Sequence, residues 1–330
     1  MCRLLVIVLL ISSSVNGQTS RFQFTENKMG SPFRIIFYHT DSAKAILVAK
    51  ESFDLVDSLN AIFSDYDKES EISQLALNAG KSPQKISPAL HQVMMISLDA
   101  SQKSQKTFTI YAGALSRLWR DARNNNKFPS KIQIRKAKRL SAEKHFKFFP
   151  ADTSMLISKK GASMDFGGIV KGYAAQKVID YLHNKNIHHA MVDAGGDIVM
   201  SKSPPGLKGW SIAINLPGDK LQLVEHQLLL SEKAVATSGN MYQYIEHDGK
   251  KYSHIINPKT GYGITTQRQV TIIANDGATA DWLATACSIL PVEKALKLSV
   301  SEDAALLILE INNGIINTYR SATFNHHFKL

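Results

Sequence analysis

Asp281 and Thr285 stand four residues apart in the run Ala280, Asp281, Trp282, Leu283, Ala284, Thr285, Ala286. These are good helix formers, so the spacing predicts two oxygen donors on one helix face. Such a pair can hold part of a magnesium shell. Magnesium prefers oxygen ligands, keeps several waters and is commonly completed by substrate phosphates. A second segment, Met164, Asp165, Phe166, Gly167, Gly168, Ile169, Val170, Lys171, Gly172, Tyr173, predicts a strand passing through paired glycines into a helix. Glycines there let backbone approach a ligand, and a helix start offers free amides to a phosphate. The spacing is neither a Walker A loop nor a dinucleotide fingerprint, so the motif alone fits a tight structural turn equally well.

Asp193, Ala194, Gly195, Gly196 and Asp197 again set glycines beside carboxylates after a strand, and alone they read as a turn. Thr237, Ser238 and Gly239 suit a phosphate or ribose but also any ordinary loop. His254 ends a short apolar strand before the turn Asn257, Pro258, Lys259, Thr260, Gly261 and is a candidate general base. His188, His189, His326 and His327 show no ligand spacing.

The elements that must position these groups are legible from periodicity. Residues 33–38 read as a strand, and 42–63 as a helix with Ile46, Ala49, Phe53, Val56 and Phe63 at helical spacing. Ser87 and Pro88 make a cap and first turn for a second helix, whose methionines read as core. Val170, Tyr173, Ala174, Val178 and Tyr181 give a third helix its buried side. Residues 190–192, 210–215, 269–274 and 305–311 read as strands, and Asn313 with Gly314 as a hairpin turn. Helices and strands mix without regular alternation or repeat, which predicts an α+β fold with two lobes.

The net charge of +11 favours encounter with anions without choosing among nucleotides, acidic proteins and anionic surfaces. The basic stretch 127–147 holds Arg135, Lys136, Lys138 and Arg139 around Ile132, Ile134 and Leu140. It lacks interleaved aromatics or a recognised module, so it reads as a solvated helix face and no nucleic-acid partner is expected. At the start, Arg3 precedes an apolar run over 4–11 and small or polar residues over 12–17. That is the grammar of a secretory signal, predicted to be cleaved after Gly17 and to leave 18–330 as a single domain. The run is too short for a permanent membrane anchor. Loss of Cys2 with the leader would leave Cys287 without an intrachain partner.

The order and wording of five blocks resemble the ApbE family of FAD:protein FMN transferases: Met29 with Gly30, 64–75, 165–173, 236–239 with 254–261, and 280–286. The likeness covers almost the whole chain after the leader. It implies an α+β unit with FAD held between two lobes and Mg²⁺ at the pyrophosphate. By the same resemblance, Met29, Tyr66, Thr107, Phe108, Thr109, Asp165, Lys171 and Ile256 match positions lining the FAD site. The Gly168 carbonyl, Asp281 and Thr285 match the metal shell, and His254 is the candidate base. The implied acceptor is a threonine or serine of a flavoprotein, commonly in a membrane-bound electron-transfer complex on the exported side. A leader fits that periplasmic setting.

The chain departs from the family pattern at several positions. Ala76 stands where the family has asparagine, with Asn78 two residues on. Thr109 and Tyr111 replace the aspartate and threonine of a Phe-Asp-x-Thr pattern. Asn257, Asp193 and Ala284 replace a frequent aspartate, a frequent asparagine and a further metal-binding aspartate of some members. Asp281, Thr285 and His254 remain. Two other functions share the same site: an FAD pyrophosphatase releasing FMN and AMP, and an exported FAD-binding protein without catalysis.

Overall fold

The computed structural model describes residues 19–217, 223–239, 243–312 and 314–327. The predicted leader, Cys2 and Asn313 lie outside them. The scaffold is an antiparallel sheet of eight strands: β1 (Ser20–Lys28), β2 (Ser31–His39), β3 (Ala190–Ala194), β4 (Ile198–Met200), β5 (Ala234–Gly239), β6 (Gln267–Ala274), β7 (Ala305–Asn312) and β8 (Ile315–Arg320). Each pairs with the next in chain order. One long excursion between β2 and β3 carries helices α1 (Ser42–Phe63), α2 (Glu71–Leu77), α3 (Pro88–Lys103), α4 (Gly113–Asn124), α5 (Lys131–Leu140) and α6 (Val170–Asn184). A second, between β6 and β7, carries α7 (Gly277–Ile289) and α8 (Val292–Ser301).

Period-two alternation decides which side chains face which layer. On β2, Phe33, Ile35 and Phe37 join the core under the helices, together with Val56, Met94, Val178 and Leu283. Ile36 points the other way, as do Ile273 and Leu307, into a second core. That second face is covered by the hairpin Trp210–Pro217 with Leu223–Leu230, through Trp210, Ile212, Leu228 and Leu230, and by Phe324. Because both faces are buried, a one-residue register slip would exchange two cores rather than expose one. Burial pushes the Cys287 thiol up to about 12, so it acts as a packed apolar group.

The expected strands and helices are present apart from the strand before α6, with α1 spanning its predicted range and Ser87 capping α3 through the Leu90 amide. Ile46 is a correction: it is exposed, because the buried stripe of α1 runs through Ala45, Val48, Ala49, Ser52 and Phe53. Met95 is exposed as well, and only Met94 of that pair is core. Residues 164–166 form no ladder; the strand expected there is irregular chain leading into the turn before α6. Gly314, at φ +78°, closes the β7–β8 hairpin between Asn312 and Ile315.

Candidate active site

The site is built where α6 and α7 cross. Gly172 and Gly277 meet so closely that a Cβ on Gly172 would lie 2.0 Å from the Gly277 carbonyl oxygen. Only hydrogens fit, and this allows the middle of α7 to reach the first turn of α6. The α7 start is fixed by Asp276, whose carboxylate accepts the Thr279 amide, and by Gln176 of α6, which accepts the Gly277 amide. Asp281 Oδ2 then accepts the Gly172 amide at 3.2 Å. One turn on, Thr285 faces Gly168, where a Cβ would stand 2.7 Å from Thr285 Oγ1. Asp165 shapes the approach by accepting the Gly167 amide at 2.8 Å.

This geometry revises one expectation. The first amides of α6 are not free for a phosphate: Asp281 takes Gly172, with support from the Lys171 amide, and Phe166 takes Ile169 and Val170. The positive group here is the Lys171 ammonium, whose charge acts on Asp197 and Asp281 and whose Nζ lies 3.6 Å from the Cβ position of Gly195. Burial pushes the Asp281 carboxyl well above the ordinary range, and Asp197 adds to the shift while Lys171 opposes it. Asp197 itself rises to about 7, chiefly from burial, again against Lys171 and reinforced by Asp193. A cation is what would restore charge to such carboxyls.

Asp165, Gly168, Lys171, Asp197, Asp281 and Thr285 open onto one cleft of about 900 Å³. Every residue predicted for the site lines it: Met29, Tyr66, Thr107, Phe108, Thr109, Asp165, Gly168, Lys171, His254, Ile256, Asp281 and Thr285. Their roles differ. Met29 occupies the β1–β2 turn at φ +50°, a left-handed conformation that glycine or asparagine usually supplies. Thr107 bonds the Ser104 carbonyl, and Phe108 packs on Trp282, so both serve as floor. Tyr66 is 75% exposed, and the Arg120 guanidinium sits 3.8 Å from its ring centroid. Arg120 is held there by Asp65 at 2.7 Å.

His254 is half-buried, its amide bonded to the Gln243 carbonyl and its Nδ1 3.4 Å from the same oxygen. A proton on Nδ1 leaves Nε2 as the accepting nitrogen. Burial first, then the Arg123 guanidinium, holds its pKa below the ordinary 6.5, against the raising effect of Gln243. Arg123 Nη1 is buried without a hydrogen-bond partner among the described residues.

The departures from the family pattern sort by position. Tyr111 stacks on Phe146 at 4.4 Å in the core, whereas Thr109 caps the turn before α4 at the cleft wall. Neither Ala76 nor Asn78 lines the cleft, and Asn78 is engaged by Lys81. Asp193 and Asn257 both serve as turn formers, accepting the amides of Gly196 and Lys259. Asp65, Arg120, Arg123 and Gln243 line the cleft and were not singled out from sequence. The arginines lie three apart on α4, beside the buried stripe of Leu115, Trp119 and Ala122; that spacing is the available signal. Sequence places Asp197 in a turn, and only its position beside Lys171 and Asp281 marks it.

Fold and site define an α+β protein whose cleft gathers a lysine, a carboxylate, a hydroxyl and a glycine-lined approach, donors suited to phosphate and a hard cation. The chain belongs to the ApbE family, whose sequence model matches residues 29–308. It is 27% identical over 297 residues to an FAD:protein FMN transferase of Klebsiella pneumoniae strain 342, covering 89% of this chain and 91% of that one. A Vibrio cholerae FAD:protein FMN transferase is 24% identical over 321 residues, covering 96% and 95%. Among solved structures, the flavin transferase ApbE from Vibrio cholerae superposes with a TM-score of 0.84 at 23% identity, covering 94% of this chain and 99% of that one. The ApbE protein of Thermotoga maritima gives 0.83 at 25%, covering 94% and 100%. The α+β fold is thus that of the family.

Proposed function

We propose that this chain is a Mg²⁺-dependent FAD:protein FMN transferase, which splits FAD and attaches FMN through a phosphoester to a threonine or serine of an acceptor flavoprotein. The observation that carries this reading is the convergence of Lys171, Asp281, Thr285 and Gly168 at one cleft that also exposes His254. Relatives covering nine-tenths of the chain or so carry that activity in their names. Oxygen donors alone make up the metal set, and the Gly168–Thr285 approach leaves no room for a Cβ, which suits magnesium. Asp281 and Thr285 side chains with the Gly168 carbonyl would hold it. Bound there, Mg²⁺ would neutralise charge on the pyrophosphate.

The chemistry balances. The acceptor hydroxyl oxygen bonds to the FMN phosphorus, the bond from that phosphorus to the bridging oxygen breaks, and AMP leaves with that oxygen. His254 Nε2 takes the hydroxyl proton. Lys171 steadies the phosphates, and Tyr66 with Met29 offers flat and apolar surface to the flavin. We place the chain on the exported, periplasmic side, as residues 18–330 released from a leader after Gly17, with an acceptor in a membrane electron-transfer complex. Arg3 and the apolar run behind it support that placement. Among the described residues no helix is long and apolar enough to cross a membrane.

The test is incubation with FAD, Mg²⁺ and a threonine-bearing flavoprotein, followed by intact mass spectrometry of the acceptor and an assay for AMP. An FMN-sized mass gain with AMP release is expected. AMP without labelling would favour the pyrophosphatase, and intact FAD the binding protein.

A further inference from the structure

Every charged side chain on α5 is positive: Lys131, Arg135, Lys136, Lys138 and Arg139. Lys131, Arg135, Lys136 and Arg139 are exposed, and among the described residues none forms an ion pair. Some other surface lysines do have carboxylate partners: Lys50 pairs with Asp54, Lys103 with Asp99 and Glu302, and Lys185 with Glu51. An unbalanced row of cations costs the fold self-repulsion. Yet α5 is firmly built, with a full capping box between Ser130 and Gln133 and with Ile134 and Ala137 buried.

Its location ties the row to the cleft. Lys138 Nζ donates to the Lys259 carbonyl. The Ile134 Cγ2 and Lys138 Cβ atoms lie 3.2 and 3.6 Å from the Cβ position of Gly261. That glycine closes the turn whose Ile256 and Pro258 line the cleft. At the other end, the Gly161 turn rests on Leu140, and Lys159 and Lys160 just before it are exposed. The helix that carries the cations thus packs on a turn at the rim of the site.

We infer that α5 is the docking face for the protein acceptor, and that this acceptor presents an acidic segment beside its target hydroxyl. The inference rests on the transferase reading and deepens it. Charge complementarity at the rim would steer a chain already bearing the hydroxyl toward His254, raising association rather than chemistry. Ile132, 77% exposed among Lys131, Arg135 and Lys136, adds one apolar contact at the centre. A membrane-surface helix needs a broad outward apolar face. On α5 the remaining apolar residues turn inward, which favours a polypeptide over a lipid surface.

The test uses the whole chain and two fluorescein-labelled peptides with a central threonine, one flanked by Asp and Glu, the other by Asn and Gln. Fluorescence anisotropy at low salt is expected to show the acidic peptide binding about tenfold tighter or more. That preference should vanish in K131E/R135E/K136E/R139E and in the milder variant with glutamine at the same positions. FAD affinity and FMN transfer to the neutral peptide should stay within about twofold, which also reports that the variants fold. Equal affinity of the two peptides for the unmodified protein, or an undiminished preference in both variants, would overturn the inference. So would variants that lose binding only to phosphatidylglycerol vesicles. Selective peptide binding with no FMN on any acceptor would sink the transferase reading and leave the docking face standing; equal transfer to both peptides would do the reverse.

Discussion

Asp281 Oδ2 and the Gly172 amide lie 3.2 Å apart, a contact joining the middle of α7 to the first turn of α6. It exists because Gly172 and Gly277 let the two helices touch backbone to backbone. Structure and site are therefore one problem at this crossing: what separates the helices also moves the carboxylate.

Gly172→Ala tests that coupling. The added methyl would stand 2.0 Å from a carbonyl oxygen, which cannot swing aside as a side-chain tip can. Overpacking of this kind costs about 1–3 kcal/mol. Urea unfolding should show a loss in the upper part of that range, and FAD cleavage should fall with it. A variant of native stability and full activity would mean that the two backbones do not meet so closely.

Asp281→Asn separates charge from shape. The amide oxygen can still accept from Gly172, and a buried carboxyl that burial already drives toward neutrality loses little fold stability on replacement. Mg²⁺-dependent AMP release should nonetheless drop by about 10²-fold or more, since charge stabilisation at the reacting phosphate goes with it. Excess EDTA should bring the unmodified protein to the same floor. AMP release unaltered in Asp281→Asn or Asp281→Ala would remove Asp281 from the metal shell.

His254 carries a pH prediction. Its pKa is held below 6.5 by burial and then by Arg123, so the neutral base persists below that pH and the acid limb of FMN transfer should fall at lower pH than for a free imidazole. Arg123→Gln removes one of the two depressing effects, and the limb should move up toward 6.5 without passing it, because burial remains. His254→Gln should cost about 10²–10⁴-fold in transfer. A limb that stays put in Arg123→Gln would show that another group sets it.

The parts of this molecule that were legible in sequence are those fixed by short-range rules. Periodicity located α1 and β2, Ser87 marked the α3 start, and the four-residue step placed Asp281 and Thr285 on one face of α7. What was not legible depends on which backbones meet. Nothing in the glycine pair before α6 says that the Gly172 amide in the helix's first turn is taken by a carboxylate more than a hundred residues away. Likewise Asp197 looks like a turn residue until its place beside Asp281 and Lys171 is known. The exposure of Ile46 shows the limit of the helical stripe itself: its position lies on the wrong side of Ala45 and Ala49 by one step.

Tyr66 gives the last prediction. A tyrosine this exposed, backed by a guanidinium at 3.8 Å that is itself anchored by Asp65 at 2.7 Å, is a ring held flat before any ligand arrives. Holding the ring in advance reduces the ordering cost of stacking a second flat system on its open side. Tyr66→Ala should then weaken FAD binding by about tenfold, in line with about 0.5–1.5 kcal/mol for an aromatic pair, while leaving unfolding unchanged. Asp65→Ala should produce a smaller loss in the same direction, because Arg120 remains but no longer has its anchor. Quenching of flavin fluorescence on titration measures both. If Asp65→Ala weakened binding as much as Tyr66→Ala, the charge of the pair rather than the platform would be what FAD meets; if neither changed it, the flavin ring lies elsewhere in the cleft.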